Sequence, residues 1–257
     1  NFNDNHADQG GAVYLYNNSA VTDCKFTGNT ANNAGGAVFF ENDSEVSGSN
    51  FTDNKVTSNN GRGGAVYANG NVNVKYSEFY NNQALIYGGA VYFGDVGNVG
   101  RCEFYGNIVT EGNGGAVYMN SGSVTSSSFT GNNATSGSAI YFSNTNPKTN
   151  NTISNSIFLD NRANVDENIP LHVTLNDNQI EIIFSGQNNL INAIYSNSNM
   201  EVRLTSVTYW SSEGISTTGP NPVKPSRSTR EAGQNITVGF VDNSGVVFND
   251  VFVTNNV

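Results

Sequence analysis

Two short apolar–polar strings alternate along the first 160 residues of the chain. One is Gly-Gly-Ala-Val-aromatic, at residues 10–14, 35–39, 63–67, 88–92 and 114–118, with a decayed copy, Gly-Ser-Ala-Ile-Tyr, at 137–141. The other is Phe-x-x-Asn, at Phe2/Asn5, Phe26/Asn29, Phe51/Asn54, Phe79/Asn82, Phe104/Asn107, Phe129/Asn132 and Phe158/Asn161. The Phe-to-Phe steps are 24, 25, 28, 25, 25 and 29 residues. Within each string apolar and polar residues alternate at the strand period, and no helical period is visible. Asn and Gly between the strings supply turn conformations. A repeat near 25 residues built this way predicts an all-β fold, a right-handed parallel β-helix. Two further steps of 26 reach Phe184 and Trp210, so about eight coils are expected over residues 1–210. At about 4.8 Å per coil they would make a rod roughly 38 Å long.

The register assigns columns. Phe is one. A small residue two positions earlier (Cys24, Ser49, Ser77, Cys102, Ser127, Ser156) shares its face by strand alternation. Ala31, Val56, Ala84, Val109, Ala134 and Ala163 form another apolar column, two residues after the Asn. All three are expected inside. The Asn column is expected to close a turn, with its amides satisfying backbone groups or one another. After Gly-Gly-Ala-Val runs an aromatic column of Tyr14, Phe39, Tyr67, Tyr92, Tyr118 and Tyr141, with His172 and Tyr195 as continuations. Its two flanking columns are apolar, so the aromatic rings are expected on the outer surface. They would serve either as a shielding ladder or as a binding strip. Cys24 and Cys102 fall three coils apart in one column, roughly 14 Å. A disulfide needs Cα atoms within about 7 Å. Two free, buried thiols are expected.

Composition then narrows the class. The chain holds 45 Asn and 28 Gly, and only 12% of it is charged. Good helix formers are scarce, which excludes an all-α fold. Aromatics at 11% exclude a disordered chain. The net charge of -10 argues against a nucleic-acid partner, which would select a basic face. No apolar run of about 18 residues is present, so membrane insertion of this piece is not expected. The first residue is Asn, so the natural N-terminus is expected to lie elsewhere. Residues 162–210 read as coils drifting from the repeat. Residues 211–230, with three of the five prolines, read as a linker or end cap. Residues 231–257 read as a β-hairpin around Asp242-Asn243-Ser244-Gly245. It would either pack on the helix end or open a truncated immunoglobulin-like domain.

The alternation of Gly-Gly-Ala-Val with Phe-x-x-Asn resembles the repeat of the chlamydial polymorphic outer membrane proteins. The Asn-rich version, with a Tyr-Trp coil end and a Gly-Gln-Asn-Ile-Thr-Val strand, more closely resembles adhesin-like surface proteins of methanogenic archaea. The resemblance covers residues 1 to about 210 and only weakly 231–257. It implies an extracellular, cell-surface protein that contacts a glycan or protein of another cell. It carries no catalytic residue over.

Candidate chemistry is thin. Polysaccharide-active β-helices need clustered carboxylates. Here carboxylates gather at residues 41–45, where Asp43 and Glu45 are candidate calcium ligands, and at Asp166 and Glu167. The 41–45 spacing lacks the Gly and distal Glu of a complete calcium loop. His6 and His172 are far apart in register. Glu78 and Glu103 share an outer column with Lys25 and Asn50, read as a solvated strip. Loops after the Asn column (32–34, 57–62, 85–87, 110–113 and 135–136) differ from coil to coil on one edge, the usual arrangement for recognition. Leu85-Ile86-Tyr87 is the apolar one and a candidate contact. Sequons at Asn17, Asn42, Asn50, Asn133, Asn150 and Asn235 are expected by chance in so Asn-rich a chain. The expectation is a monomeric adhesin-like scaffold with no required cofactor. The alternatives are a polysaccharide lyase or hydrolase, or a passive stalk.

Overall fold

The computed structural model describes residues 1–143, 151–154, 156–159 and 161–163. Beyond these it describes the strands Val173–Leu175, Glu181–Ser185, Ile194–Ser196, Met200–Leu204, Thr208–Trp210, Ser216–Thr218, Arg227–Arg230, Ile236–Val241 and Val247–Thr254. The described residues contain no helix. They wind as a three-faced parallel β-solenoid. The first sheet stacks seven strands, from Phe2–Asn3 through Glu78–Tyr80 and Glu103–Tyr105 to Ile157–Leu159. The second stacks seven more, from His6–Gln9 to Arg162–Ala163. The third receives two strands per coil, such as Val66–Ala68 and Val72–Lys75, which merge into Val91–Gly100 and Val117–Thr125.

Each sheet has its own interior ladder. On the first, the Phe rings from Phe2 to Phe158 stack with centroids 4.8–5.1 Å apart and planes within 8°. The spacing is that of hydrogen-bonded strands, so the backbone itself sets the stacking distance. At the next corner the Asn side chains turn inward and are sealed from solvent. The amide of Asn54 donates to Asn82 Oδ1 and to the Phe26 carbonyl, while its own Oδ1 accepts from Asn29 N and Nδ2. Every polar atom of the turn is thus paired. The Asn column closes the turn as expected. The small column is interior too. Ser127 Oγ accepts from Cys102 N and donates to the Thr125 carbonyl. Ala84, Val109 and Ala134 form a separate small core.

Glycine is required where the coils come closest. Gly63 has φ +65°, and a Cβ there would lie 2.2 Å from the Val66 carbonyl oxygen. A Cβ on Gly64 would meet the Gly89 carbonyl oxygen of the next coil at 2.0 Å. The Gly-Gly pair therefore serves first a left-handed turn and then a backbone-to-backbone approach.

Three expectations need correction. Phe184 pairs with Ile153 on the third sheet and does not continue the Phe column. Trp210 lies in a strand pairing antiparallel with Ser216–Thr218. The Phe-marked coils thus amount to about six turns, not eight. The physical reason is shortening: Val173 pairs with Ile194 only 21 residues on, too few for three faces at the earlier coil length. Second, Thr174 occupies the aromatic column after Tyr141, followed by Tyr195; His172 lies outside the described residues. Third, both cysteines are free, but only Cys102 is buried. Cys24 is half-buried because the first coil opens at Asn1, after the small column, and puts no residue over it. Ala163's side chain, Asp166, Glu167, Asn150, Asn235 and the turn at 242–246 also lie outside the described residues. In backbone terms, Arg227–Arg230 pairs antiparallel with Met200–Leu204, and Ile236–Val241 with Val247–Thr254.

Candidate functional site

The outward aromatic column is a continuous stack. Tyr14, Phe39, Tyr67, Tyr92, Tyr118 and Tyr141 pair ring on ring at 4.7–5.3 Å with planes within 12°. Their flanking neighbours Val66, Ala68, Val91 and Phe93 point inward and are fully buried. Each internal ring covers the face of the next, so rims and hydroxyls meet solvent. Phe39 and Tyr141 are themselves buried, whereas Tyr14 is 45% exposed. The Tyr14 hydroxyl donates to Glu41 at 2.7 Å. That bond, ahead of burial, raises the Tyr14 pKa.

The loop edge meets this ladder. Arg62, Tyr87, Asn113 and Ser136 align by successive backbone bridges. Tyr87 tilts against Tyr118 at 4.6 Å, and the Arg62 guanidinium lies 5.6 Å and 5.5 Å from the Tyr87 and Tyr92 rings. Burial raises the Tyr67 and Tyr118 pKa values, and Arg62 opposes this at both. Leu85, Ile86 and Tyr87 are all half-buried. The structure thus joins Tyr87 to the ladder, a contact that column reading left separate. Asp43 accepts from Asn71 N at 2.7 Å, and Glu45 pairs with Lys75 at 3.0 Å. Both carboxylates point to donors of the following coil. Among the described residues no group of three His, Cys, Asp or Glu is gathered.

A different corner holds the grooves. In the turn from the third sheet to the first, one residue per coil takes positive φ: Asp23, Gly48, Tyr76, Arg101 and Ser126. Asp, Gly and Ser are ordinary there. Tyr76 (φ 51°) and Arg101 (φ 56°) are not, because a bulky L-residue in this region is strained by about 1–2 kcal/mol. The two are locked together. The Arg101 guanidinium lies 5.2 Å from the Tyr76 ring centroid and donates to its hydroxyl. A groove of about 440 Å³ runs on one side, lined by Tyr76, Glu78, Arg101, Glu103, Ser126 and Ser128 among others. A second, of about 350 Å³, runs on the other side past Lys75 and Asn98.

Glu78 and Glu103 are Cα partners on adjacent strands, as their shared column predicted. Asn50 Nδ2 donates to Glu78 at 2.9 Å, and Tyr80 hydrogen-bonds Glu103. Burial, then the charges of Glu103 and Glu78, push Tyr80 up to about 12. Tyr76 and Arg101 were missed from sequence. Their signal was present, as two large residues in a column otherwise Asp, Gly and Ser.

Stacked parallel strands on three faces, with ladders at coil spacing, define a β-solenoid. A family model described as the right-handed beta helix region matches residues 1–158, more than half of the chain, and the chain belongs to that family. No curated protein and no solved structure matches it.

Proposed function

We propose that this chain is an adhesin-like, cell-surface recognition scaffold that binds glycans of another cell beside Tyr76 and Arg101. The observation that carries it is the strained, mutually locked Tyr76–Arg101 pair standing between two grooves. Strain of this kind persists only where surrounding structure enforces it, and it clusters at ligand sites. The interior ladders repeat almost unchanged, while this corner changes from coil to coil; a rigid frame carrying individual surface groups suits recognition. The repeat's resemblance to extracellular adhesin-like proteins points the same way. The reading invokes neither a cofactor nor membrane insertion.

A second reading, a polysaccharide hydrolase, is favoured by Glu78 and Glu103. They stand one strand spacing apart, about 4.8 Å, close to the roughly 5–5.5 Å of a retaining carboxylate pair.

A glycan array and a whole-cell binding assay, run with the wild type and with Tyr76→Gly and Arg101→Ser, test the first reading. Binding that both substitutions weaken is the expected result. Release of new reducing ends from any array hit, abolished by Glu103→Gln, would establish the hydrolase instead. Binding to neither cells nor glycans would leave a passive stalk.

A further inference from the structure

Resting on that binding role, we propose that the groove beside Tyr76 selects a saccharide bearing a protonated amine, such as a chain of glucosamine units. The first argument is charge. Glu78 and Glu103 are exposed and stacked one strand spacing apart. Their hydrogen-bond partners, Asn50 and Tyr80, are neutral. The single ion pair among the described residues is Lys75–Glu45, which uses neither of them. Arg101 lines the same groove, but its guanidinium is turned onto the Tyr76 ring and hydroxyl. The groove therefore sets two carboxylates against one guanidinium that is already engaged. One ammonium group lying against the carboxylates would neutralise the balance. A uronate would add a third negative charge to the pair.

The second argument is shape. Tyr76 is 54% exposed. The residue stacked before it in the turn column is Gly48, so no side chain from that coil lies over its ring. The apolar face of a sugar ring can rest there, as aromatic rings in saccharide sites are used. Ser126 and Ser128, on the groove's far side, offer hydroxyls to the sugar's own. A volume of about 440 Å³ is of the size that holds a small ligand. A bare metal ion or simple amine would use the carboxylates and leave the ring and serines idle.

The test is titration calorimetry of the full chain, at pH 6 with EDTA present, against three tetramers: glucosamine, N-acetylglucosamine and galacturonic acid. The glucosamine tetramer should bind at least tenfold tighter than the acetylated one, and the galacturonate tetramer should not bind. Glu78→Gln/Glu103→Gln should lose at least tenfold, and so should Tyr76→Gly. Both sites are exposed and Gly suits the left-handed turn, so thermal melts of both variants should show a folded chain. Equal binding of the acetylated tetramer, no glucosamine binding, or indifference to the double substitution would overturn the proposal. Cell binding that survives in Glu78→Gln/Glu103→Gln would overturn it while leaving the adhesin reading intact. Absence of cell binding by the wild type would count against that reading itself.

Discussion

Asn54 and Asn82, 28 residues apart in the chain, share a hydrogen bond of 3.0 Å in an interior closed to water. Asn82 Oδ1 also accepts from Asn54 N, and Asn82 Nδ2 donates to the Phe51 carbonyl and to Asn107. One side chain thus satisfies groups in the coils on both sides. Asn82→Ala leaves the N–H groups of Asn54 and the Phe51 carbonyl without these partners. At about 1–3 kcal/mol for each buried orphan, a loss of roughly 3–5 kcal/mol is expected in urea unfolding. Asn5→Ala, at the half-exposed end of the ladder, should cost far less.

Left-handed turn positions should respond in opposite directions to substitution. Gly63→Ala places a Cβ at φ +65° against the Val66 carbonyl oxygen and should cost more than about 2 kcal/mol. Tyr76→Gly relieves about 1–2 kcal/mol of strain and gives up the contact with Arg101 and some unfolded-chain entropy. Its melting temperature should stay within a few degrees of wild type or rise. A large fall would show that the ring holds the corner together and is not held there for a ligand.

Much of this architecture was legible because the solenoid turns stacking into sequence period. Phe26 and Phe51 had to be neighbours once the step was known, and they are. The reading failed where the coil changed length. Phe184 kept the numerical step but moved to the third sheet, because spacing alone does not say which face a residue joins. The site was less legible for a related reason. Column reading ranks residues by what repeats, whereas Tyr76 and Arg101 stand out by departing from their column. Their mutual contact also needs backbone dihedrals that no pattern of apolar residues specifies. Glu78 and Glu103 were paired correctly, but the groove beside them depends on how far the corner protrudes.

The Phe stack should behave as a set of linked plates. Phe79 lies between Phe51 at 4.9 Å and Phe104 at 4.8 Å and is fully buried. Phe79→Ala opens a gap in a continuous column and should cost about 3–5 kcal/mol. Phe79→Leu keeps most of the volume and loses the ring contacts, for about 1–3 kcal/mol. Urea midpoints for the two variants should rank in that order.

Cys102 makes stability depend on alkaline pH. Burial pushes its thiol up to about 11 from an ordinary value of 9.0, against the opposing hydrogen bonds of Ser77 and Gly100. The folded state therefore holds this proton after the unfolded chain has lost it. The associated stability is complete below pH 9, falls as pH rises from about 9 to about 11, and then levels off. At roughly 1.4 kcal/mol per unit, the loss is on the order of 2–3 kcal/mol. Tyr80, pushed up to about 12, adds a loss at higher pH. Cys102→Ser keeps a small hydrogen-bonding residue in a column where Ser77 and Ser127 already serve, and should fold normally. Urea midpoints at pH 8 and 10.5 should fall less for Cys102→Ser than for wild type. At pH 8, a thiol reagent should modify Cys24 of the native protein and reach Cys102 only after denaturant is added. Equal modification of both thiols without denaturant would mean that the small column opens in the native state.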